Sequence, residues 1–118
     1  MILRPFLALA VGTASLLASG PALAHAKLVS ATPAANAAGP APRQIVLKFN
    51  EKVQAKFSGF DLTTGGATVP VKVVVGRDRL SLVGVPAKPL SPGAYQVKWH
   101  AVTADTHRMQ GDYSFTVR

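Results

Sequence analysis

Cysteine is absent from this 118-residue chain, and acidic residues are few, five against 13 lysines and arginines. Without cysteine no disulfide can staple a small fold, which must then rest on its core. Thiolate, the softest metal ligand, is excluded too, so a metal site would have to use imidazole, carboxylate, amine or thioether. The five acids are scattered along the chain and form no glycosidase-like pair. There is no Gly-x-Ser-x-Gly elbow and no serine in a triad context, which removes serine-nucleophile chemistry. No glycine-rich loop is laid out to cradle a phosphate; Gly65-Gly66 reads as a turn. No segment sustains a helical period, and no apolar run is long enough to cross a bilayer as a helix.

What is present begins with the layout of a secretory leader. Arg4 supplies a positive start, an apolar run covers 6–17, Gly20-Pro21 breaks it, and Ala22-Leu23-Ala24 offers the small-x-small pattern of signal peptidase. Cleavage after Ala24 divides the chain into a leader, 1–24, and one domain, 25–118, whose first residue is His25. A competing pattern, Ala24-His25-Ala26, would start the mature chain at Lys27, but the Gly-Pro break is better spaced for the first cut. The remaining 94 residues suffice for one small core. They carry twelve basic and five acidic side chains, a net charge of +7. The basic residues stand singly, as at Lys48, Lys56, Lys72, Lys88 and Lys98, with no dense run. This reads as a solvated basic surface on an exported domain, with no nucleic-acid partner.

Turn signals recur every eight to twelve residues between short β-rich runs. Seven runs are predicted as strands: 27–31, 45–49, 58–63, 69–75, 79–83, 94–101 and 112–117. Thr64-Gly65-Gly66 closes one as a hairpin-like turn. Ile45, Leu47 and Phe49 share a face by the period of two, as do Tyr95, Val97 and Trp99, and Tyr113, Phe115 and Val117. Pro70 belongs near a strand start or on an edge. The pattern predicts an all-β, seven-stranded Greek-key β-sandwich or small barrel.

Three histidines are present: His25, His100 and His107. An N-terminal His25 would offer its α-amine and ring Nδ1 to one ion, closing a six-membered chelate. Asp105 and His107 are two apart, and in an extended segment such residues point to one side. Together they make three nitrogens and one oxygen, a donor set that suits Cu(II). His100 lies out of phase with the core face of its strand and reads as exposed or half-exposed. Met109 reads as packing or loop surface, not as a ligand.

The chain resembles the CopC family of periplasmic copper-binding proteins. The resemblance rests on His25-Ala26 with Ser30-Ala31-Thr32-Pro33, on Leu47-Lys48-Phe49-Asn50-Glu51, and on Leu90-Ser91-Pro92-Gly93-Ala94-Tyr95. It continues through Trp99-His100-Ala101-Val102 to Asp105-Thr106-His107, and through Gly111-Asp112-Tyr113-Ser114-Phe115-Thr116-Val117. It implies a cupredoxin-like (immunoglobulin-like) fold and a monomeric periplasmic protein. It also implies one Cu(II) per mature chain, held by His25, Asp105 and His107. Glu51 falls on a family position beside the metal, as a further contact or a group that orients the amine. The resemblance implies copper buffering, delivery or resistance without catalysis, and a partner such as an inner-membrane CopD-type protein. Some family members carry a methionine-rich loop for Cu(I); this chain departs from them, with only Met109 beyond the leader. Two other readings compete: a histidine-brace copper oxidase or monooxygenase, and a metal-free structural β-sandwich module.

Overall fold

A computed structural model describes residues 27–118, and nine strands and one short 3-10 turn make up its regular structure. The strands are β1 (Leu28–Thr32), β2 (Ala38–Gly39), β3 (Ile45–Phe49), β4 (Gly59–Thr64), β5 (Ala67–Val69), β6 (Val71–Val75), β7 (Ser81–Pro86), β8 (Gly93–Val102) and β9 (Arg108–Val117). The 3-10 turn is Ala55–Phe57. One sheet has the order β1-β3-β7-β6 and the other β2-β9-β8-β4-β5. All pairings are antiparallel except β2 on β9. The chain changes sheet five times, so the two layers are laced together as a Greek-key sandwich.

The alternation read from the sequence sets the core. Ile45, Leu47 and Phe49 from one sheet meet Phe60, Leu62, Tyr95, Val97, Phe115 and Val117 from the other, all buried. Tyr95 and Phe115 are cross-strand partners whose rings stack at 5.5 Å. The Phe49 and Trp99 rings meet edge to face at 5.3 Å and close the layers at the other end. Gly84 is a space requirement: a Cβ there would lie 2.2 Å from Phe60 Cζ and 2.8 Å from Val71 Cγ1.

The architecture is the expected one, with differences in detail that have local causes. The run 69–75 is two strands. Pro70 lacks an N–H for the ladder, and the chain switches sheet across it, β5 pairing with β4 and β6 with β7. The turn after β6 takes up residues through Leu80, so β7 starts at Ser81 rather than at Arg79. Strand β9 starts at Arg108, four residues before the expected 112, because it pairs with β8 along its whole length. In the Ala/Gly/Pro-rich loop, β2 is a two-residue addition. Gly65 and Gly66, at φ 54° and 82°, form the expected tight hairpin turn between β4 and β5.

Candidate metal site at the hairpin turn

Strands β8 and β9 form the longest hairpin of the fold, and residues 103–107 connect them. The connection is tied down by backbone hydrogen bonds. Thr103 N–H donates to the His107 carbonyl at 2.9 Å, and Thr106 N–H to the Thr103 carbonyl at 2.9 Å. Val53 forms an isolated bridge with Thr103. The Gln54 side chain donates to the Thr103 carbonyl at 2.7 Å.

The turn brings Asp105 and His107 together: His107 Nδ1 lies 3.0 Å from Asp105 Oδ2, with both side chains well exposed. The manner differs from the extended pair read from the spacing. Residues 104–105 are a turn, and Thr106 has φ 70°, in the left-handed region. That reversal places the carboxylate against the ring, where extended i and i+2 side chains would stand about 6.5 Å apart.

Asp105 is heavily engaged. Its Oδ1 accepts from the buried Thr103 hydroxyl and from His107 N–H. The Thr103 hydrogen bond first, then those from the His107 ring and N–H, lower the carboxyl to about 2. The carboxylate is thus ionised at any physiological pH and needs to shed no proton to meet a cation. The contact between Nδ1 and Oδ2 holds the imidazole and the carboxylate side by side at the surface.

His25 lies outside the described residues. Glu51 is half-buried just beyond β3, and among the described residues no three His, Asp or Glu side chains gather closely enough to hold a metal. Lys27, the first described residue, donates its N–H to Asn50 Oδ1 at 2.8 Å. This ties the start of the described chain to the end of β3, the end that continues to Val53 and the turn. His100 is half-buried on the ladder opposite Gln110, as its strand phase requires, and Met109 packs against the core. Thr103 and Gln54 were not singled out from the sequence. A Thr-x-Asp spacing at a strand end was the available signal for Thr103; Gln54, 49 residues from its partner, left none.

Comparison with known proteins agrees in sequence and in structure. Residues 28–118 match the CopC domain model. Copper resistance protein C of Escherichia coli is 43% identical over 106 residues, 82% of this chain and 84% of that protein. The protein of the same name from Pseudomonas syringae pv. tomato is 41% identical over 113 residues, 89% and 90% of the two chains. The crystal structure of PcoC, a methionine-rich copper resistance protein from Escherichia coli, superposes with a TM-score of 0.75. It is 44% identical and covers 80% of this chain and 100% of that one. With a family match over most of its length and relatives above 40% identity, the chain belongs to the CopC family.

Proposed function

We propose that the chain is a periplasmic Cu(II) carrier whose leader is cut after Ala24, so that His25 becomes the amino terminus. It would bind one Cu(II) through the His25 α-amine and ring, Asp105 and His107. It holds the ion for buffering, delivery or resistance and performs no reaction on it. The observation that carries this reading is the Asp105–His107 pair at the hairpin turn, in a chain whose relatives are named for copper resistance. An imidazole and an ionised carboxylate side by side are half of a tetragonal nitrogen-and-oxygen donor set. The other half would come from His25, two residues before Lys27, which is tied to Asn50 at the end of β3. Glu51 follows Asn50 directly, where a carboxylate can orient a coordinated amine.

The PcoC relative is named as methionine rich, whereas this chain has two methionines in all, Met1 and Met109. A single thioether beyond the leader does not make a Cu(I) site, so Cu(II) is the ion proposed. The carrier acts as a monomer and passes copper to another copper-handling protein, such as an inner-membrane CopD-type protein.

The test is copper titration of the chain starting at His25 against the same chain with one residue added before it. The added residue keeps the imidazole but destroys the amine chelate, so affinity falls by orders of magnitude, and electron paramagnetic resonance loses its nitrogen-rich tetragonal signature. Equal affinities would remove the amine from the ligand set. No uptake by either form would make the domain a structural module. Hydrogen peroxide production by the reduced, copper-loaded protein would place it with histidine-brace oxidases instead.

A further inference from the structure

A hollow of about 600 Å³ lies beside the Asp105–His107 turn, and its charged lining is entirely cationic: Lys52, Lys56, Arg77 and Arg79. The lysines come from the connection between β3 and β4, and the arginines from the turn between β6 and β7. The two segments are fastened by Val53 N–H donating to the Arg79 carbonyl at 2.9 Å. None of these four cations forms an ion pair with a carboxylate among the described residues. Asp78, between the two arginines in sequence, spends its carboxylate on Leu80 N–H at 2.9 Å, the Ser81 hydroxyl at 3.1 Å and Lys48 at 3.8 Å.

Two further features bear on what the hollow receives. Arg79 has φ 62°, a left-handed conformation that glycine adopts without strain and a long side chain does not. The turn therefore carries a guanidinium where backbone geometry alone would favour none. Phe57 follows Lys56 on the 3-10 turn and is 50% exposed, with Lys56 Nζ 5.9 Å from its ring centre. An exposed aromatic next in sequence to a lysine of the hollow, with arginines on the facing turn, is the composition of protein-docking surfaces. A free small anion would have no use for the ring, and a flat lipid surface would not enter a hollow between two turns. The wall is completed by Ala104, the residue before Asp105.

We propose that this hollow docks an acidic, carboxylate-rich segment of a partner protein and so sets that partner against the Asp105–His107 turn. The cations attract and orient the segment, and Phe57, next to the lining residue Lys56, supplies an apolar contact. The purpose, handing over a metal, rests on the copper reading above; the docking does not.

The test is a nuclear magnetic resonance titration of the metal-free chain starting at His25 with oligoglutamate. Amide shifts should cluster at 52–57, 75–79 and 104, and affinity should fall with added salt. Arg77→Gln combined with Arg79→Gly should lower affinity about tenfold, the loss of roughly one good charged contact. Arg79→Gly alone should weaken binding without lowering Tm, which separates recognition from a structural role. Lys72→Gln and Lys98→Gln, outside the hollow, should change nothing. Shifts spread evenly over the basic surface, or wild-type affinity in the double variant, would overturn the proposal. So would a response of the hollow to phosphatidylglycerol vesicles and none to oligoglutamate. Because no copper is present, a failed ligand set leaves this titration unaffected.

Discussion

The ladder and the turn of the β8–β9 hairpin carry one histidine each, in unlike company. His100 stands on the ladder between Gly59 and Gln110, with its ring over Gly59. The polar hollow around it is lined by Asp61, Lys98, Arg108 and Asp112, drawn from three strands. His107 stands at the turn with the Asp105 carboxylate 3.0 Å from its ring. A ladder deals consecutive side chains to opposite faces and spreads like chemistry out. A turn with a left-handed residue does the reverse and gathers near neighbours in sequence. The hairpin thus divides its work: ladder residues hold the sandwich, and the turn brings an imidazole and a carboxylate together.

The largest effect that would break this contrast is on copper affinity. His107→Ala should lower it by about 100-fold or more while leaving the thermal melt unchanged, and His100→Ala should leave both unchanged. Competition titration with a chromophoric chelator reads the difference; similar losses in the two variants would end the distinction between ladder and turn. The converse change lies on the ladder. A Cβ on Gly111 would sit 2.8 Å from Trp99 Cζ2 and 3.0 Å from Cε2. Gly111→Val should therefore cost about 1–3 kcal/mol in denaturant unfolding, with the copper affinity of the folded fraction retained.

Asp105→Asn keeps the shape of the turn and removes its charge, and should weaken copper about tenfold. The smallest expected effect is that of Thr103→Val. Loss of its hydroxyl lets the Asp105 carboxyl rise from about 2 toward the ordinary carboxylate range. Because the native value is depressed, whatever stability the group confers is complete above the unfolded value near 3.9 and disappears as pH falls through about 2. In the wild type, copper release on acidification should therefore follow the amine and imidazole protons, with Asp105 still ionised. In Thr103→Val, a further loss should appear near pH 4. A copper titration series between pH 3 and 8 would show it, and identical curves would mean that the threonine does not tune the carboxylate.

The sandwich was legible because its core strands obey strict alternation, most plainly Tyr95-Val97 and Phe115-Val117. Strand ends were less so: Met109, Gln110 and Gly111 carry no clear alternation of their own and are strand because β8 lies beside them. Of the site, the Asp105–His107 pairing was legible and its cause was not. Spacing suggested an extended pair, but the contact depends on the backbone of Thr106. Glu51 entered only through family resemblance, and the described residues do not gather it with the pair. The cationic hollow was invisible because its lysines and arginines come from separate connections, about twenty residues apart, that only the folded sheets bring together.

The strand order also bears on how the protein meets copies of itself. The outermost strands are β1 and β6 in one sheet and β2 and β5 in the other. β2 has two residues and β5 three, and β5 runs directly into Pro70. β6 begins just after that proline and carries the exposed Lys72, while β1 has a register shift between Leu28 and Ser30. Short, bulged, charged or proline-flanked rims are poor templates for strand addition. Among the described strands, β2 and β5 are therefore guarded against edge-to-edge pairing, while β6, five residues long with Val74 exposed, relies on Lys72 and the preceding Pro70.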